Sequence, residues 1–218
     1  MSRSCHCTQL SHDPTFVVLT GGPGAGKTAV LEIVRKNFCA HVAVLPEAAG
    51  IVYGGGFPRR PDTIARKAAQ RGMFHIQREL ERMSIEEQKY AVILCDRGTI
   101  DGLAYWPDEP DELWRDVGTS LELELARYGT VIHLRTPAPT RYNHHNPLRL
   151  ETPEEAAQID DKIARAWDNH PRRVFVPSTD MFLDKARAAI AIIEEQIPAC
   201  CRISASAPPP DYSPHSPS

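Results

Sequence analysis

Residues 21–28, GGPGAGKT, carry the most specific chemistry in this sequence. Glycines let the backbone turn its N–H groups inward where a side chain would block them, and the Lys-Thr that follows adds an ammonium and a hydroxyl. The spacing Gly21, Gly26, Lys27, Thr28 is that of a loop holding the phosphates of a nucleoside triphosphate. Gly22, Gly24, Ala25, Gly26 and Ala29 would then offer backbone amides to phosphate oxygens. Lys27 would neutralise the β and γ phosphates, and Thr28 would help bind Mg²⁺. The cofactors to expect are ATP or GTP, with Mg²⁺.

Phosphoryl transfer needs a carboxylate beside the acceptor hydroxyl, a second beside the metal, and cations to stabilise charge. Glu47, in LPEAAG, fits the first role and Asp96, in CDRGTIDG, the second, with the base left open between them. Arg97 would contact substrate phosphate or the transferring group. Gln70, Phe74 and Gln77 fall at i, i+4 and i+7, so they share one helix face. Two arrangements are open for them: an aromatic and two amides around a ring-bearing acceptor, or Phe74 in the core with the glutamines exposed.

Arg59, Arg60, Arg66 and Arg71 make the same segment locally basic, as a site for an anionic substrate or an acidic lipid headgroup, or simply as a solvated helix face. Gly54, Gly55 and Gly56 permit a mobile loop nearby. Arg135, Arg141 and Arg149 flank TPAPTRYNHHNP, and Arg141 and Arg149 are the candidates to close over the phosphates. In PSTDMF, Thr179 or Asp180 could read the edge of the nucleotide base. His144 and His145, adjacent in a loop, are expected to face solvent. Cys5, His6, Cys7 and His12 form a CxC with histidine neighbours, a weaker metal signal than paired CxxC units, in an arm expected to be flexible.

These residues need elements to position them. Short, nearly all-apolar runs at 15–20, 41–45, 91–95, 130–134 and 173–176 read as strands buried on both faces. Helical periodicity fills the intervals at 27–38, about 61–88, from Thr152, and about 180–197. The third of these starts on Thr152-Pro153-Glu154-Glu155, an N-cap hydroxyl followed by Pro and, at the third helical position, Glu; it is expected to bury Ile159, Ile163 and Trp167. Strand and helix alternating in this way predict an α/β fold with a mostly parallel sheet covered by helices. The chemistry then falls at the carboxyl edge of the sheet, where Gly21 onward, Glu47, Asp96-Arg97, Arg135 onward and Pro177 onward meet.

The whole sequence sets limits on function. At 218 residues, with 42% hydrophobic and 24% charged side chains, it is long enough for one sizeable core. A net charge of −3 gives no overall basic surface for nucleic acid. No apolar run is long enough to cross a membrane and the N-terminus lacks a secretory h-region, so a cytoplasmic location with free thiols is expected. The domain reading is a flexible arm over 1–13, an NTP-binding body over 14–198 and a disordered Pro/Ser-rich tail over 199–218.

The combination of GGPGAGKT, LPEAAGIVYGGGFP, CDRGTIDGLAYWP, HLRTPAPTRYN, NPLRLETPEEA and AWDNHPRRVFVP resembles the P-loop ATPase/kinase-like domain family. That family is related to the ribosylnicotinamide kinase part of NadR and has a version in the TRPL-translocation-defect protein, a GTP- and phosphoinositide-binding trafficking factor. The resemblance runs from Thr15 to Ile197. It implies a nucleoside/nucleotide kinase-like, three-layer α/β/α P-loop NTPase fold with a five-stranded parallel sheet and a lid after the fourth strand. It also implies that Glu47 and the Asp96-Arg97 pair align with a base and an acidic-Arg pair, the pair here reading Asp-Arg-Gly. Two functions are expected: a Mg²⁺-dependent phosphotransferase acting on a nucleoside or other small hydroxyl acceptor, or a nucleotide-gated module recognising a phosphoinositide or a protein partner.

Overall fold

The five apolar runs form one parallel sheet: β1 (Thr15–Thr20), β2 (Val42–Leu45), β3 (Val92–Asp96), β4 (Thr130–Leu134) and β5 (Arg173–Val176), in spatial order β2-β3-β1-β4-β5. The structure is a computed structural model that describes residues 5, 7–9, 11–137, 152–179 and 181–202. In the central strands Val18 pairs with Cys95 and Leu19 with Ile132. Successive side chains go to opposite faces, so Val17, Leu19, Val92, Leu94, Ile132 and Leu134 join one core while Phe16, Val18, Ile93, Cys95 and Val131 join the other.

The first core is covered by α1 (Lys27–Asn37), through Val30, Leu31 and Val34, and by α7 (Phe182–Gln196), through Ala186, Ala189 and Ile193. The second lies under α3 (Thr63–Glu86), α4 (Pro110–Val117) and α6 (Pro153–Ala166), with Phe74, Leu113, Trp114, Ile163 and Trp167 buried in it. Two shorter helices, α2 (Ala48–Gly54) and α5 (Leu121–Leu125), and a 3-10 helix over Thr99–Ala104 complete this side. The result is the expected three-layer α/β sandwich.

Local signals set the helix starts. Thr152 accepts from Glu155 N at 3.2 Å and Glu155 returns the bond to Thr152 N at 2.8 Å, so α6 begins on a complete capping box with Pro153 at its first position. Asp62 caps α3 by accepting from Ala65 N at 3.0 Å. The triglycine ends α2, with Gly56 at φ 89°, and serves as a helix stop.

One expectation is corrected. β2 and β5 are not buried on both faces, because the sheet order leaves them at the edges: Val174 and Phe175 are 38% and 43% exposed. Arg173 covers the Phe175 ring at 4.6 Å and Arg135 at 5.9 Å, a cationic cover that shields an apolar edge strand.

Candidate active site

The loop 21–28 joins β1 to α1 at the carboxyl edge of the sheet, and three of its glycines, Gly21, Gly24 and Gly26, have positive φ. Space forbids a side chain as firmly as φ does. A Cβ on Gly21 would stand 2.1 Å from Leu134 O, and one on Gly22 would stand 2.5 Å from Thr136 Oγ1 and 2.9 Å from Ala156 O. The N-cap of α1 is Gly26, with no side-chain capping bond and no acidic residue in the first turn. Among the described residues the amides of Lys27, Thr28 and Ala29 therefore meet no side-chain anion, which leaves the positive end of an 11-residue helix for phosphate.

Lys27 lies folded over this loop, donating to Gly21 O at 2.9 Å and Gly22 O at 3.4 Å. Burial pushes its ammonium down to about 8, Arg97 adds to the fall, and Asp96, Glu47 and Asp101 oppose it. Thr28, the next residue, is exposed. Asp96, the last residue of β3, has one carboxylate oxygen, Oδ1, buried with no hydrogen-bond partner among the described residues. Burial raises its carboxyl above the usual range, Lys27 and Arg97 working against the rise and Glu47 and Asp101 with it. An orphaned acidic oxygen at the end of β3 and a hydroxyl in the first turn of α1, both at the carboxyl edge of the sheet, are donor types that could hold a divalent cation.

A cavity of about 380 Å³ opens beside the loop. Glu47, Asp96, Arg97 and Asp101 are among the residues that line it, with Gln70, Phe74 and Gln77. Arg97 is fixed from several sides: Nε donates to Glu47 at 2.7 Å, and Nη1 faces Gly21 O at 3.3 Å and Asp101 Oδ1 at 3.4 Å. Its backbone holds φ 71°, a left-handed conformation that costs a non-glycine residue about 1 kcal/mol. The strain is retained where the guanidinium bridges Glu47 to the phosphate loop.

Asp101 is a functional residue that sequence reasoning missed. It is 3% exposed, and its Oδ2 accepts from Gly98 N at 2.9 Å and Trp167 Nε1 at 3.2 Å, while Oδ1 accepts from the Thr20 hydroxyl and faces Arg97. One carboxylate thus ties the end of β1, the turn after β3, the end of α6 and the cavity arginine. Asp160 does similar work on the other side of the loop: it accepts from Gly22 N at 2.8 Å, His133 Nε2 at 2.9 Å and Thr136 N at 3.3 Å, and pairs with Arg135 at 3.2 Å. Burial works against its charge, but the bonds from His133 and Gly22 win and hold its carboxyl below the usual range. Lys185 of α7 donates to Ala25 O at 2.7 Å and Arg135 O at 2.6 Å, with burial lowering its ammonium to about 8 against Asp160.

Gln70, Phe74 and Gln77 are brought together on α3 and line the cavity, with changes of detail. Phe74 both packs on Trp114, rings 6.5 Å apart, and lines the cavity. Of the two arrangements left open, the one with exposed glutamines is excluded, since both are buried. Gln77 donates to Glu81 at 2.8 Å, whereas the Gln70 amide has no hydrogen-bond partner among the described residues and faces the cavity. The basic segment is not a free patch. Arg60 pairs with Asp62 at 3.0 Å, Arg71 with Asp116 at 2.8 Å, and Arg66 donates to Tyr105 O at 2.8 Å, while Arg59 lies over the Tyr53 ring at 5.1 Å. Beyond β5, Thr179 donates to Met181 O at 2.7 Å and the Phe182 ring lies against Gly26. Arg141, Arg149, Asp180, His144, His145 and His6 lie outside the described residues. Among the described residues no helix is long and apolar enough to cross a membrane.

No curated protein matches the sequence. Solved structures share the fold at low identity. Thymidylate kinase from Ehrlichia chaffeensis is 13% identical with a TM-score of 0.52, over 83% of this chain and 98% of that one. Thymidylate kinase from Candida albicans is 14% identical with a TM-score of 0.57, over 84% of this chain and 92% of that one. NadR in complex with NR is 16% identical with a TM-score of 0.62; 88% of this chain is covered, which spans 54%, about half, of the NadR chain. These likenesses agree with the phosphate loop and sheet order in giving a P-loop, kinase-like α/β fold. The AAA domain family model matches residues 16–182, most of the sequence, and the chain belongs to that family.

Proposed function

We propose that the protein transfers a phosphoryl group from a nucleoside triphosphate to a hydroxyl of a small molecule held in the 380 Å³ cavity. The observation that carries this reading is the ion pair between Glu47 and Arg97, 2.7 Å long, on the cavity wall beside the phosphate loop. A base and a cation converge where the end of a triphosphate on the loop would meet an acceptor. Structural similarity to proteins named as thymidylate kinases supports a kinase over a plain binding module.

In this scheme the α1 amides and Lys27 bind the phosphates, and Lys27 exchanges its carbonyl partners Gly21 and Gly22 for phosphate oxygens. Thr28 and Asp96 would hold Mg²⁺, which when bound neutralises phosphate charge. Glu47 accepts the proton of the attacking hydroxyl. Arg97 releases that carboxylate as the acceptor arrives and turns its charge to the transferring group, which lies beside the Gly21 carbonyl it already faces. Gln70 supplies an unspent amide for the acceptor's polar edge, and Phe74 a ring to lie on.

The test is transfer of labelled γ-phosphate from ATP or GTP, with Mg²⁺, to a panel of nucleosides, nucleotides and other hydroxylated metabolites. Transfer to one class is expected, with Glu47→Gln lowering turnover by about a hundredfold or more while nucleotide affinity holds. Tight nucleotide binding without transfer to any acceptor would overturn the reading. Binding to phosphoinositide vesicles that depends on Arg59, again without transfer, would replace it with the headgroup module, which the pairing of Arg60 and Arg71 with Asp62 and Asp116 does not favour.

A further inference from the structure

At the amino edge of the sheet, far along the strands from the phosphate loop, three separate segments bring thiols and imidazoles together. The N-terminal arm supplies Cys5, Cys7 and His12. The turn between α1 and β2 supplies Cys39 and His41, and a terminal 3-10 turn over Ala199–Cys201 supplies Cys200 and Cys201. Cys39 and Cys201 are buried, at 3% and 1% exposure, and Cys5, Cys7 and Cys200 pack against the same core. The arm is anchored here by more than its side chains, since His12 N donates to Gln88 O at 2.8 Å.

The distances are those of a coordination sphere. Cys7 Sγ lies 3.5 Å from His12 Nε2, Cys201 Sγ 3.8 Å from His12 Nε2, and Cys201 Sγ 3.5 Å from His41 Nδ1. Zinc bonds of about 2.0–2.1 Å to nitrogen and 2.3 Å to sulfur in a tetrahedron separate neighbouring ligand atoms by about 3.3–3.8 Å. The remaining pairs in this set of four are also within 4.8 Å. A thiol and an imidazole nitrogen gain little from such proximity as hydrogen-bond partners, because sulfur is a weak donor and a weak acceptor.

We propose that Cys7, His12, His41 and Cys201 bind one Zn²⁺ ion in a closed, four-ligand structural site. Soft thiolates mixed with imidazoles at tetrahedral spacing select zinc over oxygen-preferring cations. With four protein ligands no position is left for substrate, and the site stands at the opposite end of the strands from Lys27 and Glu47, so its effect is on the fold. It clips the N-terminal arm and the end of the chain's described part to the turn before β2, closing a loop of nearly the whole domain. Cys5 and Cys39 form a second group within 4.8 Å that shares His41 and Cys201, with Cys5 Sγ 3.2 Å from His41 Nδ1; the Cys39 thiol is spent on Cys201 O at 3.6 Å, which leaves the ion to the group with two imidazoles.

The experiment uses the full chain, purified without a histidine tag and equilibrated with zinc. Elemental analysis should find about one zinc per chain after dialysis, and Co²⁺ in its place should give the visible absorption of a tetrahedral ion with thiolate-to-metal charge transfer. Cys201→Ser and His41→Gln should each lower retained zinc at least tenfold. Cys7→Ser and His12→Gln, which alter the arm and not the sheet, should do so even if a core variant fails to fold. Cys5→Ser and Cys39→Ser should keep the metal. No retained zinc and no tetrahedral Co²⁺ spectrum would overturn the proposal. So would a disulfide among these cysteines in the freshly purified chain, or zinc lost with Cys5 and Cys39 but kept without Cys7 and His12.

Discussion

Replacing Asp101 by Asn isolates what one buried carboxylate does for the site, because the side chain keeps its shape and loses only charge and one acceptor. Asn presents one oxygen and one NH₂. The Gly98 N–H and the Trp167 indole N–H can only donate, so the oxygen must stay on their side, at the present 2.9 and 3.2 Å. The NH₂ then faces Thr20, whose hydroxyl can rotate to accept, and Arg97, which cannot accept. Breaking a buried ion pair outright costs about 3–5 kcal/mol, and a hydrogen bond to a charged group about 1.5–3. Arg97 retains Glu47 at 2.7 Å, which places the expected loss near the lower figure, about 2–3 kcal/mol. For a domain of this size that is a fall in Tm of roughly 5–10 °C, measurable by differential scanning fluorimetry. Trp167→Phe, which removes one donor to the same carboxylate, is expected to cost less, and the double variant to lose less than the sum. A Tm within about 1 °C of the parent for Asp101→Asn would refute the idea that this residue organises the site.

Other consequences are open to direct measurement. With Lys27 at about 8 in the free protein, and charged when bound to phosphate, nucleotide affinity should be full below pH 8 and lost as pH rises through it. Between pH 7 and 9 the dissociation constant should rise about tenfold, a slope absent in Lys27→Met; a flat profile for the parent would contradict the depressed ammonium. Gly22→Ala would drive a methyl into Thr136 and the Ala156 carbonyl, so nucleotide binding should fall by more than tenfold even if the fold survives, as isothermal titration would show. Thr152→Ala removes half of the α6 capping box and should cost about 1 kcal/mol in urea unfolding without a change in m-value.

The sequence made the framework legible where local rules decide structure. Strand residues 15–20, 130–134 and 173–176 coincide with β1, β4 and β5, and Thr152 caps α6 as its Pro and Glu neighbours require. The phosphate loop is legible for the same reason, its chemistry lying in eight consecutive residues. α2 is not, because seven residues, two of them glycine, have too few turns to show a period, and the helix is held by packing on α3. α4 carried a signal that could have found it, Pro110 at its start with Asp111 and Glu112 in the first turn and Gly118 as a left-handed stop. Asp101, Asp160 and Lys185 read as ordinary charges on helices. Their roles come from partners 81, 138 and 160 residues away, pairings that no local pattern encodes. The same distance hides the Cys/His cluster, whose arm looks like a polar tail until His41 and Cys201 are placed beside it.

The two cores differ in a way that has practical use. Trp106, Trp114 and Trp167 all lie in the core on the cavity face, and the core beneath α1 and α7 holds no tryptophan. Trp114 contacts Phe74 at the cavity, and Trp167 is bonded to the carboxylate that faces Arg97. Intrinsic fluorescence is therefore a one-sided optical probe. Acceptor arrival should change its intensity or wavelength, while ion binding among the cysteines, on the dark side of the sheet, should leave it nearly still. One cuvette can then tell events at one end of the molecule from events at the other without any added label.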